Sequence, residues 1–184
     1  MIDLRRYPKA EAYLKSHKER LEKRRYLVEA GRQWYEMWAP QDPDIWRVPK
    51  VVFPDISPEP RFYIDLAGRL VDGDCYWLTL RPGVSLETLY LLLGVVNASL
   101  MSRFHDLAFN NKLYSARRRY MTQYVAKYPY PSLQSPASQK LIALVKQRVQ
   151  SPSSSSSLNT DSFDTQVDLL VEEAFGLQPD EAVR

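Results

Sequence analysis

The sequence predicts an α+β fold, with a small, mainly antiparallel sheet packed on a central apolar helix, a long N-terminal helix and further helices toward the C-terminus. Three observations predict it. Residues 9–29 hold no Gly or Pro and are rich in Ala, Leu, Glu, Lys and Arg; short apolar pieces separated by turn residues fill positions 40–80; and residues 89–96 form the longest oily run.

In the first stretch, Ala10, Leu14, Leu21 and Val28 trace a narrow stripe at helical spacing, with Tyr7-Pro8 at the entry and Gly31 as a stop. One helix of about twenty residues is expected, most of it wet. Six prolines, at 40, 43, 49, 54, 58 and 60, exclude a long helix there and leave short extended pieces such as residues 51–53. Residues 62–66 alternate as a strand does, and Asp65-Leu66-Ala67-Gly68 turns into Leu70-Val71. Asp72-Gly73-Asp74 makes another turn before residues 76–80, aromatic and apolar enough for a strand.

Ser85 is a plausible N-cap, with Thr88 three residues on. After it Leu86, Leu89, Tyr90, Leu92, Leu93, Val96 and Leu100 cover nearly every direction of a helix, which must therefore be central. Gly94, Ala98 and Ser99 would let a neighbour approach closely, and Asn97 needs partners if buried. The helix is expected to run on through Met101, Phe104 and Leu107. Ser135-Pro136 opens a helix through Leu141, Leu144, Val145 and Val149; residues 151–157 are Ser-rich and read as a linker; and Phe163, Val167, Leu170, Val171 and Ala174 form a last amphipathic helix ending at Gly176.

Composition narrows the chemistry. The 184 residues carry 25 Lys+Arg against 22 Asp+Glu, for a net charge of +3, with 45% apolar residues, a length suited to one domain with an appendage. A lone cysteine, Cys75, permits no internal disulfide and suits a reducing, cytoplasmic setting; no run is long enough for a membrane span or a signal peptide. The six glycines are too far apart for a phosphate-binding loop, and His17 and His105 have no second ligand at metal spacing. His105 reads as a structural or surface residue. No Gly-x-Ser-x-Gly occurs, and Asp55 with Asp65 mimics a nuclease spacing without the expected lysine. The chain by itself is expected to hold no cofactor and perform no catalysis.

Charge is strongly segregated: residues 1–35 are net +5, 36–99 net −4, 100–128 net +5 and 129–184 net −3. Within the basic segments, Arg24, Arg25 and Arg32 neighbour Tyr26, Trp34, Tyr35 and Trp38. Residues 110–120 place Asn110, Asn111, Lys112, Arg117, Arg118, Arg119 and Tyr120 together with no acidic residue. Guanidinium groups pair with phosphates and guanine edges, amide, hydroxyl and phenol groups can read or position a nucleic acid, and rings stack on bases or pack on sugars. Three consecutive arginines repel one another unless an anion is near. Core packing for the tryptophans and a solvated face for the arginines is the competing reading, and a protein-interaction or scaffold module the competing function. Single-strand binding through Trp34, Tyr35 and Trp38 is a third.

The order of features is similar to a known family. Tyr7-Pro8, Tyr13-Leu14, His17, Leu21 and Arg24-Arg25, then Trp34-Tyr35, Pro49-Lys50-Val51 and Pro60-Arg61-Phe62-Tyr63-Ile64-Asp65, then Leu93-Gly94-Val95-Val96-Asn97-Ala98, and finally Tyr120 and Tyr128-Pro129-Tyr130-Pro131, resemble the TaqI-like specificity domain. That domain follows the catalytic half of adenine-specific DNA methyltransferases and fused restriction-modification enzymes. The match runs from about Tyr7 to Pro131 and implies a target-recognition domain over residues 1–131; the residues themselves add a helix at 132–150, a linker at 151–162 and a closing helix and tail at 163–184, of which Val167 to Gly176 again resembles the family. It implies double-stranded DNA as a partner and a methyltransferase catalytic domain or subunit as another. S-adenosylmethionine would belong to that catalytic partner, since this sequence lacks the Asn-Pro-Pro-Tyr segment and the glycine-rich strand end of the catalytic half. Arg24, Arg25, Arg32, Trp34, Tyr35, Asn110, Asn111, Lys112, Arg117, Arg118, Arg119 and Tyr120 are the expected DNA contacts.

Overall fold

A computed structural model describes residues 2–38, 42–71, 73–110, 112–151 and 160–177. Pro40, Asp72, Asn111 and the Ser-rich residues 152–159, all singled out in the sequence, lie outside the described residues, as does the tail from 178 onward. The described fold is α+β, and the chain divides into two compact units, Met1–Pro43 and Asp44–Arg184.

The first unit is helical. After a 3₁₀ turn at Leu4–Arg6, α1 (Pro8–Ser16) begins with proline in its first turn, and α2 (Lys18–Glu22) and α3 (Arg25–Glu29) follow. The single long N-terminal helix expected from the sequence is therefore broken twice. His17 (φ −111°, ψ 10°) and Arg24 (φ −77°, ψ 68°) leave the helical region at the two joints. At the second, the Arg24 guanidinium folds back to donate from Nε to the Leu21 carbonyl (3.2 Å), taking an acceptor a continuing helix would have used. The break also changes the buried position: Leu27 is enclosed, while Val28, which the stripe had pointed inward, is exposed.

The second unit is built on a three-stranded antiparallel sheet. A short helix α4 (Pro43–Arg47) leads into β1 (Lys50–Pro54), and β3 (Tyr63–Asp65) and β4 (Cys75–Thr79) flank it in the order β3-β1-β4. Lys50 lies directly opposite Asp65 in the register, and its ammonium donates to that carboxylate at 2.5 Å with both side chains buried. Asp65 also accepts from the backbone N–H groups of Ala67 and Arg69, which fixes the turn after β3. The lysine absent from sequence spacing is thus present in space, but buried and engaged by Asp65 and the Trp46 carbonyl as a structural pair. A second ladder, unanticipated in the sequence, joins β2 (Ile56–Ser57) to β5 (Arg118–Arg119).

Helix α5 (Glu87–Asn97) is the centre, contacting β1, β3, α8 (Pro136–Gln150) and α9 (Thr160–Ala174). Ser85 Oγ accepts from the Glu87 N–H at its start. A Cβ at Gly94 would stand 2.9 Å from Leu141 Cδ1, so the bare backbone is what lets α8 close in. The expected continuation to Leu107 is interrupted at Ala98 (φ −69°, ψ 150°), and α6 (Ser99–Phe109) starts anew. Asp168 of α9 caps α6 from afar, accepting from the Ser99 N–H (2.8 Å) and hydroxyl (2.7 Å). Asn97, at the break, bonds the Phe62 N–H and C=O, both at 3.1 Å. A four-residue α7 (Thr122–Val125) follows β5, and α8 opens as read, with Ser135 Oγ accepting from Ser138 N–H and proline in the first turn. Helices α8 and α9 pack on each other and on α5, so residues 132–150 belong to the same compact unit as the sheet.

Candidate nucleic-acid interface

In the second unit the basic segment 110–120 forms a loop whose two ends are tied to one carboxylate. Helix α6 ends at Asn110 in the left-handed conformation (φ 42°, ψ 42°), which an exposed Asn tolerates. Asp106, on the last turn of α6, accepts from Arg118 through both oxygens (Nε 2.6 Å, terminal nitrogen 2.8 Å) and pairs with Lys112 Nζ at 3.1 Å. The Arg118 bonds, helped by Lys112, outweigh burial and hold the Asp106 carboxyl down at about 2. Arg118 also donates to the Pro58 carbonyl, and Arg119 reaches Asp55 at 2.9 Å. The anions that allow consecutive arginines here include the protein's own Asp106 and Asp55.

Between these anchors the loop is strained and exposed. Ser115 (φ 58°) and Ala116 (φ 55°) both have positive φ, unusual for residues with a Cβ, and the Leu113 N–H donates to the Arg117 carbonyl at 2.7 Å across the turn. Tyr114 is 77% exposed. Arg117 is exposed, and its guanidinium has no hydrogen-bond or ion-pair partner among the described residues.

Tyr120, expected as a DNA contact, is a core residue only 1% exposed, so this expectation is corrected. Its N–H donates to the Asp55 carbonyl (2.6 Å), and its ring lies against Phe62 and His105 at centroid distances of 5.8 and 4.8 Å. Its hydroxyl is buried without a hydrogen-bond partner among the described residues, and burial pushes its pKa up to about 12. His105 is structural: it is buried among Phe109, Tyr120, Tyr124 and Tyr128, and its Nδ1 is 2.7 Å from the Tyr128 hydroxyl.

In the first unit the expected contacts divide the same way. Arg24 is half-buried and spends its guanidinium on the Trp34 (2.6 Å) and Leu21 carbonyls. Trp34 and Tyr35 meet edge to face at 5.4 Å; Lys18 Nζ stands 5.7 Å from the Trp34 ring, and the Tyr35 hydroxyl donates to the Ile2 carbonyl. These two rings serve the packing of their own unit. Arg25 is exposed and Arg32 half-buried, and neither guanidinium has a hydrogen-bond or ion-pair partner among the described residues. Sequence reading missed the clamp itself. The signal available was that Asp106 is the one acidic residue in the net +5 segment 100–128.

Among the described residues no group of three or more His, Cys, Asp or Glu could hold a metal ion, and no helix is long and apolar enough to cross a membrane. An apolar cleft bounded by Phe62, Leu93, Val145 and Phe163 includes none of the expected DNA contacts.

The chain is similar to the type II methyltransferase M.BanIII of Aneurinibacillus aneurinilyticus. The two are 42% identical over 178 residues, covering 96% of this chain and 30% of the relative. This chain therefore spans less than a third of that methyltransferase's length. No protein-family model matches it.

Proposed function

We propose that this chain is the duplex-DNA target-recognition part of an adenine-specific type II methyltransferase of a restriction-modification system, directing methyl transfer by a catalytic portion that lies elsewhere. The observation that carries this reading is the 42% identity running along nearly the whole chain while covering under a third of the methyltransferase. A module with no catalytic motif of its own, aligned to a minor share of a methyltransferase, is what a specificity part would be. S-adenosylmethionine does not fit the residues here: the glycines are scattered, and Gly68 (φ +72°) packs a turn 3.2 Å from the Arg47 backbone rather than cradling a ligand. The cofactor is assigned to the catalytic portion.

The clamped loop supports the same reading. Asp106, paired with Lys112 and Arg118, and Asp55 fix its base, so that Asn110, Tyr114 and Arg117 are presented from a prearranged frame, which lowers the ordering cost of binding. Arg117 is the chief candidate to meet a phosphate or a guanine edge; Arg118 and Arg119 hold the loop. Asn111 keeps its proposed role from the sequence, and Arg25 and Arg32 are the proposed contacts of the first unit.

Duplex binding measured over a salt series tests this. Arg117→Ala should flatten the log-log salt slope by about 1, the loss of one phosphate contact, or relax preference at one base position. An unchanged slope and unchanged sequence preference would remove the loop from the interface. A module that retains no affinity for duplex at low salt would favour the protein-interaction reading instead.

A further inference from the structure

From the first unit we infer that residues 1–43 are a docking arm whose aromatic face, centred on Tyr26 and Trp38, seats on the catalytic portion of the methyltransferase. This rests on the proposed function. The structural observation is a mismatch between size and core. Among its described residues Leu27 is the one buried hydrophobic side chain, whereas Ile2, Tyr7, Tyr13, Tyr26, Val28 and Trp38 are all more than half exposed. A unit of this length cannot support itself on one enclosed leucine, because small units bury too little of their surface.

Composition and geometry point to a protein occupant. Tyr26 and Trp38 are 53% and 59% exposed yet already meet edge to face at 5.7 Å, a pair with a large apolar area and few rotatable bonds. Met37 is also exposed, and Tyr, Trp, Met and Arg are the residues enriched where protein surfaces meet. The unit carries ten Lys+Arg against seven Asp+Glu, so the complementary surface is an apolar patch with a carboxylate rim. The occupant follows from length: more than two thirds of M.BanIII lies outside the aligned region, so an arm of this kind has a large catalytic portion to meet.

The test replaces the aligned region of M.BanIII by the 184 residues of this chain and follows thermal unfolding of the chimera. The arm couples the two parts, so one cooperative transition is expected. Y26S/W38S, which alters two side chains that are more than half exposed, should split it into two and increase the radius of gyration in solution scattering; R117A should leave it single. Two transitions in the unsubstituted chimera, or one in Y26S/W38S, would overturn the docking. So would concentration-dependent self-association of the 184-residue chain that Y26S/W38S abolishes, which would make a second copy the occupant, or quenching of its tryptophan fluorescence by single-stranded DNA. The salt slope of R117A in the same chimera reports on DNA recognition separately, so failure of the arm and failure of the recognition reading are distinguishable.

Discussion

Asp106 and Arg118 form a two-pronged ion pair, Nε to Oδ1 at 2.6 Å and a terminal nitrogen to Oδ2 at 2.8 Å, that closes the loop between them. Both side chains are largely withdrawn from water, so the pair is worth more than a surface bridge. Its pH dependence follows from the carboxyl at about 2, below the roughly 3.9 of an unfolded Asp. A depressed carboxyl stabilises the fold above about pH 4, and the contribution is lost as pH falls toward 2. Urea unfolding should show about 2 kcal/mol of stability disappearing over that window. Asp106→Asn should lower stability at pH 7 and remove this share of the acid dependence.

Tyr120 gives a prediction of the opposite sign. Its hydroxyl is buried without a partner among the described residues, so Tyr120→Phe should raise stability by about 1 kcal/mol at pH 7. At alkaline pH the folded value of about 12, above the usual value near 10, means that stability is intact below about pH 10 and falls as pH rises toward 12. The Phe variant should lose that part of the alkaline decline and leave duplex affinity unchanged. A drop in affinity without a loss of stability would return Tyr120 to the interface.

Gly94→Ala should destabilise by about 1–3 kcal/mol in chemical denaturation, because the new methyl lands 2.9 Å from Leu141 Cδ1 and 3.0 Å from its Cγ. Combining it with Leu141→Ala should cost less than the sum of the two single changes, since the same space is at issue.

Lys50→Met removes the buried cation and leaves the enclosed Asp65 carboxylate to the Ala67 and Arg69 N–H groups and to the exposed Arg69 guanidinium at 3.2 Å. A loss of about 3 kcal/mol is expected in urea unfolding at pH 7, and Lys50→Met with Asp65→Asn should recover part of it. Equal stability of wild type and Lys50→Met would mean that the buried pair contributes no net stability.

Periodicity and punctuation made much of the second unit legible. The strand pieces around Val51, Ile64 and Trp77, the Ser135-Pro136 start and the close approach at Gly94 all depend on local pattern or on one residue's size. The breaks at Arg24 and Ala98 are not legible, because each is set by a partner distant in sequence or by a side chain folding back: Arg24 on Leu21 and Trp34, Asp168 on Ser99. The basic segment is legible as a charge pattern, but which of its arginines faces outward is not. That depends on Asp55, more than sixty positions from Arg119, and on a two-residue ladder with no signature of its own.

The Asn97 amide engages Phe62 through both its oxygen and its nitrogen, at the entrance to the outer strand β3. It imitates the donor and acceptor that a neighbouring chain's backbone would offer at that position. Replacing it with valine would uncover a sticky margin, and the variant should form sheet-to-sheet aggregates, detectable by light scattering and thioflavin fluorescence, while its native neighbour stays dispersed.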